Sequence, residues 1–90
     1  MSEVVDNVAR HRFELEVDGE TAFAAYKSDD KVITFTHTIV PPALEGRGIG
    51  SRLVRGALDI VRGQGLKVVP LCPFVKAYIE RHEELQDLLA

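Results

Sequence analysis

The sequence predicts an α+β domain: a single mixed sheet of three antiparallel strands plus one parallel strand, with helices packed on it. Three observations carry this. Residues 12–17 alternate apolar and polar up to Asp18-Gly19, a two-residue hairpin signal. Residues 32–40 form a β-branched and aromatic run that stops at Pro41-Pro42. A helical pattern then separates that run from a second short apolar strand, the spacing of a right-handed parallel crossover.

The elements follow in order. Residues 1–9 show no period and are expected to be a flexible N-terminal lead-in, which leaves one domain over residues 10–90. In the first strand Phe13, Leu15 and Val17 share one face, and Arg12, Glu14 and Glu16 the other. Folding back across the hairpin pairs Leu15 with Ala22, Phe13 with Ala24 and His11 with Tyr26. Ala22, Ala24 and Tyr26 thereby join the buried face, and Phe23 falls on the opposite one. Ser28-Asp29-Asp30-Lys31 makes a second turn. The run Val32 to Val40 has little polar alternation at its end, which suits a strand covered on both sides. Proline ends it, because it has no N–H for a ladder and restricts the residue before it.

Beyond residue 48, Ile49, Gly50, Leu53, Val54, Ala57, Leu58, Ile60 and Val61 occupy one half of a helical wheel. Ser51, Arg52, Arg55, Asp59 and Arg62 fill the other half, and Gly63-Gln64-Gly65 ends the helix. Leu66 to Leu71 is a short apolar strand. Pro73 fits the first turn of another helix, with Phe74, Val75, Tyr78 and Ile79 as its apolar stripe. Leu85, Leu88 and Leu89 continue as a final helical tail.

Ninety residues, 46% of them apolar, suffice for one core. A net charge of −3 argues against nucleic acid as the main partner. With one cysteine no internal disulfide forms. No stretch has the pattern of a signal peptide or the length of a membrane span, so a cytoplasmic protein is expected. No Cys/His/Asp cluster has metal-ligand spacing.

The stretch Val40 to Ser51 holds the most chemical information. Gly46, Gly48 and Gly50 remove side chains from the turn where the long helix starts. A helix start has unpaired N–H groups and the positive end of a dipole. Bare amides there suit an anion, so the turn is expected to hold a phosphate-containing cofactor, with Arg47, Arg52 and Arg55 as a basic rim. It is not a Walker loop, since no Lys-Ser or Lys-Thr follows. The spacing is also wrong for a dinucleotide fingerprint.

Cys72 stands where a strand ends and a helix begins, a position that favours thiolate. As a free cysteine it is otherwise a small buried hydrophobe. His37 lies near the end of the long strand, which becomes a neighbour of the Cys72 strand after the crossover. If His37 points the way Cys72 points, the two form a base–thiol pair; if not, His37 is a half-buried histidine with its own hydrogen bond. Tyr78 is a possible proton donor, but its apolar stripe favours packing. Glu45 is either a base or a charged residue of a solvated turn.

These residues resemble the GNAT-type N-acetyltransferase superfamily, and more closely its short, single-domain YjdJ-type branch. The resemblance rests on His37-Thr38, Val40-Pro41, Gly46-Arg47-Gly48-Ile49-Gly50, Pro70-Leu71-Cys72-Pro73-Phe74-Val75, Tyr78-Ile79 and Arg81-His82, and spans residues 12–89. Glu45 stands where the superfamily motif usually has arginine or glutamine, and its usual N-terminal helices have no counterpart. The resemblance implies a minimal acetyl-CoA-binding fold, with acetyl-CoA or coenzyme A as ligand and an amine acceptor. It places the pyrophosphate on Gly46, Arg47, Gly48, Ile49, Gly50 and Ser51, and the pantetheine arm along Ile39 and Val40. It implies Cys72 and His37 as catalytic residues. Two functions stay open: transfer of acetyl to an amine, directly or through acetyl-Cys72, and a non-catalytic CoA-binding module.

Overall fold

A computed structural model describes residues 3–90. The sheet has five strands in sequence order: β1 (Val5–Asn7), β2 (Arg12–Val17), β3 (Glu20–Asp29), β4 (Val32–Ile39) and β5 (Lys67–Pro70). The first four are antiparallel neighbours, and β5 joins β4 in parallel. Helix α1 (Ile49–Gly63) makes the crossover, and α2 (Pro73–Arg81) follows β5. No helix among the described residues is long and apolar enough to cross a membrane.

The fifth strand corrects the four-strand expectation. It lies in the stretch expected to be a flexible lead-in. Three residues are too few to show a period, but the segment is anchored. Val4 is buried at 6% exposure, and Asp6 Oδ1 accepts a 2.6 Å hydrogen bond from Tyr26 Oη. β1 thus covers the Arg12 to Glu14 part of the β2 edge.

Tyr26 is buried against Phe13, with ring centroids 4.9 Å apart. Burial, then the Asp6 carboxylate, pushes its hydroxyl far above the ordinary tyrosine range. Its neutral form is therefore favoured by the fold. That contribution is complete below pH ~10, where an unfolded tyrosine starts to ionise, and is lost as pH rises further. Tyr26→Phe is expected to cost about 2 kcal/mol in urea unfolding at pH 7. It should also flatten the loss of stability of the native chain above pH ~10.

The hairpin register is as expected. Leu15 pairs with Ala22 and Phe13 with Ala24, while the Tyr26 amide donates to the His11 carbonyl at 2.9 Å. His11 itself lies outside the strand with φ 54°. Phe13, Leu15, Ala22, Ala24, Ile33, Phe35 and Val68 face one side of the sheet. They share a single core with Leu53, Val54, Ala57, Leu58 and Val61 of α1 and Val75 and Ile79 of α2. Both helices thus lie on one face.

Strand β4 was expected to be covered on both sides. Instead its burial alternates: Ile33 and Phe35 are buried, Thr34 and Thr36 half-buried, His37 and Ile39 exposed. No described element packs on the second face. Threonine and histidine supply the wet side there, although β-branching hid the alternation.

The expected helical tail is a 3-10 segment, Glu83–Leu88, with Leu85 and Leu88 buried. Leu89 leaves it to bridge Val68, and the Ala90 amide donates to the Val68 carbonyl at 3.0 Å. Arg62 binds Asp87 at 2.8 Å and lowers its carboxyl pKa, fixing this segment to α1.

Candidate functional site

The site is built where β4 ends, α1 begins and α2 begins. After Val40, the Pro42–Leu44 turn leads through Glu45 into Gly46 (φ 79°) and Gly48 (φ 71°). Both glycines have left-handed backbones that side-chain-bearing residues adopt at a cost. A Cβ on either would meet nothing within 4 Å, so the glycines serve the backbone path and the space above them is open. Gly48 is the N-cap of α1 and supplies no side-chain cap. The Arg52 amide is the first to bond back, to the Gly48 carbonyl at 3.2 Å. The amides of Ile49, Gly50 and Ser51 precede it, at the positive end of α1.

Gly50 has a different purpose. A Cβ there would lie 2.9 Å from Phe74 Cζ and 3.6 Å from Val40 Cγ2. Its absence lets the start of α2 close against the start of α1 and the end of β4. A cleft of about 240 Å³ lies between them, lined by Val40, Gly46, Gly48, Ile49, Gly50, Ser51 and Phe74 among others. A larger cavity of about 450 Å³ begins on the other side of Ser51, which lines both, and is walled by α1, Tyr78 of α2, Leu15 and residues 3–4.

The expected basic rim is neutralised pair by pair. Arg47 binds Asp18 of the β2–β3 hairpin at 2.8 Å, Arg52 binds Glu3, and Arg55 binds Glu84 at 2.8 Å and Asp59 at 3.7 Å. The chain carries more acids than bases, and its exposed arginines find them. What stays unneutralised at the turn is the positive end of α1, its first backbone amides.

Strands β4 and β5 pair from Val32–Lys67 to Phe35–Pro70 and then part. Their last bond runs from the Cys72 amide to the Phe35 carbonyl at 3.0 Å. Beyond it, no described strand pairs with β4 on that side, while β3 continues on the other side to Ile39. The result is a slot whose upper end meets the glycine turn.

Cys72 and His37 flank this slot but do not meet. Ala25 pairs with His37 and Tyr26 with Phe35, so Thr36 is an extra residue in β4, a bulge. Thr36 Oγ1 donates to the Ala25 carbonyl at 3.3 Å and lies 3.2 Å from His37 Nδ1. His37 projects from the uncovered face, its ring edge-on to Phe23 with centroids 6.1 Å apart. Arg12 stacks on the same Phe23 ring at 4.3 Å and binds Glu14 at 2.6 Å, lowering that carboxyl's pKa.

Thr38 points the other way, and its Oγ1 lies 3.4 Å from Cys72 Sγ. Cys72 is 4% exposed and forms the N-cap of α2. The expected His37–Cys72 pair is therefore absent, and a threonine stands in the place foreseen for the histidine. Thr38 is the residue sequence reasoning missed. Its signal would have been a bulge in Thr36-His37-Thr38, which reverses the parity of everything after it.

Tyr78 and His82 lie apart from the slot. Their rings stack at 4.1 Å, and His82 Nδ1 is 2.7 Å from the Tyr78 carbonyl. Glu45 is exposed on the turn.

The chain is 32% identical over 76 residues to Protein NATD1 of Mus musculus, covering 81% of this chain and 69% of that protein. It is 32% identical to Protein NATD1 of Homo sapiens over 76 residues, covering 81% and 67%. The NMR solution structure of a GCN5-like protein from Staphylococcus aureus superposes with a TM-score of 0.73 at 27% identity, covering 100% of this chain and 91% of that one. The pattern of the GCN5-related N-acetyl-transferases matches residues 12–88. On that match, which takes in every strand but β1, both helices and the glycine turn, the chain belongs to the GCN5-related N-acetyltransferase family.

Proposed function

We propose that the chain is an acetyl-CoA-dependent N-acetyltransferase acting on a primary amine. One observation carries the reading: a helix start with glycine at its N-cap and second residue, and no side-chain cap, lies beside the strand-free edge of β4. The donor set fits the ligand. Amides of residues 46–51 suit a diphosphate, and a bare strand edge at Ile39 and Val40 suits a pantetheine arm, whose amides pair as an added strand does. When bound, the ligand supplies an activated acetyl thioester at the end of the slot.

Two side chains of the chain itself then divide the chemistry. His37 takes the proton that the amine sheds as its C–N bond forms and the thioester C–S bond breaks. CoA leaves as thiolate. Cys72 faces the same slot from the helix side, where Thr38 fixes the direction of its sulfur. In a covalent route Cys72 Sγ attacks the thioester carbonyl and passes its proton to the departing CoA sulfur. The geometry favours the direct route, since His37 does not reach Cys72. A non-catalytic CoA-binding module is the second reading, favoured by the lack of any described element over the face that presents His37.

Calorimetry of the protein against coenzyme A tests the shared part of both readings, and amine-dependent CoA release separates them. A mass increase of one acetyl group, absent from Cys72→Ala, would reveal the covalent route. Arg47 contributes as an exposed charge already shared with Asp18. Arg47→Ala is expected to weaken CoA binding by less than about tenfold, and Asp18→Asn to tighten it severalfold at low salt. Both are read by the same titration.

A further inference from the structure

The proposal above leaves the acceptor without a place. We infer that the amine is taken on the uncovered face of the sheet, on a floor made by Phe23, Ala25 and His37, and that it is carried on an unbranched aliphatic stem. The inference rests on the acetyl-CoA reading.

The helix side of the slot is closed. Cys72 is 4% exposed, Phe35 is fully buried, and Thr38 is engaged with the cysteine sulfur. An acceptor on that side has to displace the core. The opposite side is open. His37 stands exposed there, its ring oriented by the Phe23 edge and the Thr36 hydroxyl. Ala25, directly across from it in β3, rises only one methyl above the sheet. The imidazole is thus the tallest polar group beside a low floor.

The surroundings select the stem. Ile39 and Leu71, at the parted ends of β4 and β5, are 46% and 66% exposed, an apolar rim on which methylenes can rest. Arg12, across Ala25 in β2, is divided between the Phe23 ring and Glu14. Lys27, two residues from Ala25 on the same face of β3, is the exposed cation left there. It is therefore the apolar rim of Ile39 and Leu71 that selects the stem, since an alkylamine gains contact on it along its whole length.

A stable conjugate tests this without requiring turnover: coenzyme A joined through its sulfur to N-butylacetamide. The native protein is expected to bind it at least tenfold tighter than coenzyme A itself. The amide shifts it causes beyond those of coenzyme A should fall on Phe23, Ala25 and His37. Ala25→Trp should weaken the conjugate at least tenfold and leave coenzyme A within twofold. A conjugate no tighter than coenzyme A, or extra shifts on Val75, Ile79 and Tyr78, overturns the inference while the ligand reading stands. A flat titration with coenzyme A overturns the reading itself. Should Ala25→Trp fail to fold, the shift map on the native chain decides alone.

Discussion

Gly48→Val is expected to abolish coenzyme A binding, leaving calorimetry flat at millimolar ligand. Two costs fall on the same residue. A β-branched side chain at φ 71° is strained by roughly 1–2 kcal/mol relative to glycine. The new side chain also projects into open space at the N-cap of α1, where a ligand on the first turn would have to pass. If the first amides of α1 hold the diphosphate, the loss is of several charge-assisted hydrogen bonds together. Backbone strain alone is controlled by Gly65→Val. Gly65 has φ 72°, open space around it, and lies past the far end of α1. Both variants should lower the midpoint of thermal unfolding by similar amounts, and only Gly48→Val should lose the ligand. Equal binding by the two variants would remove the turn from the site.

Much of this site was legible because it is local. The glycine turn, the helix that follows, the Pro41-Pro42 stop and the Pro73 helix start are each set by residues adjacent in sequence. The β2–β3 register follows from Asp18-Gly19 alone. What escaped the sequence depends on pairings between distant residues. The three residues of β1 are a strand only because Glu14, Phe13 and Arg12 offer an edge, and because Asp6 meets the Tyr26 hydroxyl. Arg47 reads as a free cation until the hairpin brings Asp18 within 2.8 Å. The bulge at Thr36 matters most. Counting by twos from Ile33 and Phe35 puts His37 on the core side, facing Cys72. One extra residue sends His37 to the open face and Thr38 to the cysteine.

That reversal gives His37→Ala a distinctive expected result. The amine-dependent release of CoA should fall roughly 10²–10⁴-fold, the usual contribution of a positioned general base. Coenzyme A affinity should stay within about twofold, since the turn and the β4 edge are untouched. External imidazole should restore part of the rate, because His37 is exposed and its removal leaves an open gap above Ala25. Cys72→Ala discriminates the routes. Under direct transfer it should cost little beyond the loss of a small buried side chain and its 3.4 Å contact with Thr38. Under the covalent route it should cost at least as much as His37→Ala. A histidine that acted on Cys72 would also make the two substitutions redundant, so the double variant would be no worse than either single one. Since the imidazole and the sulfur lie on opposite sides of β4, the direct route predicts independent effects that multiply. Redundancy in that cycle would show that the two groups come together in a conformation other than this one, and would return the base to the cysteine.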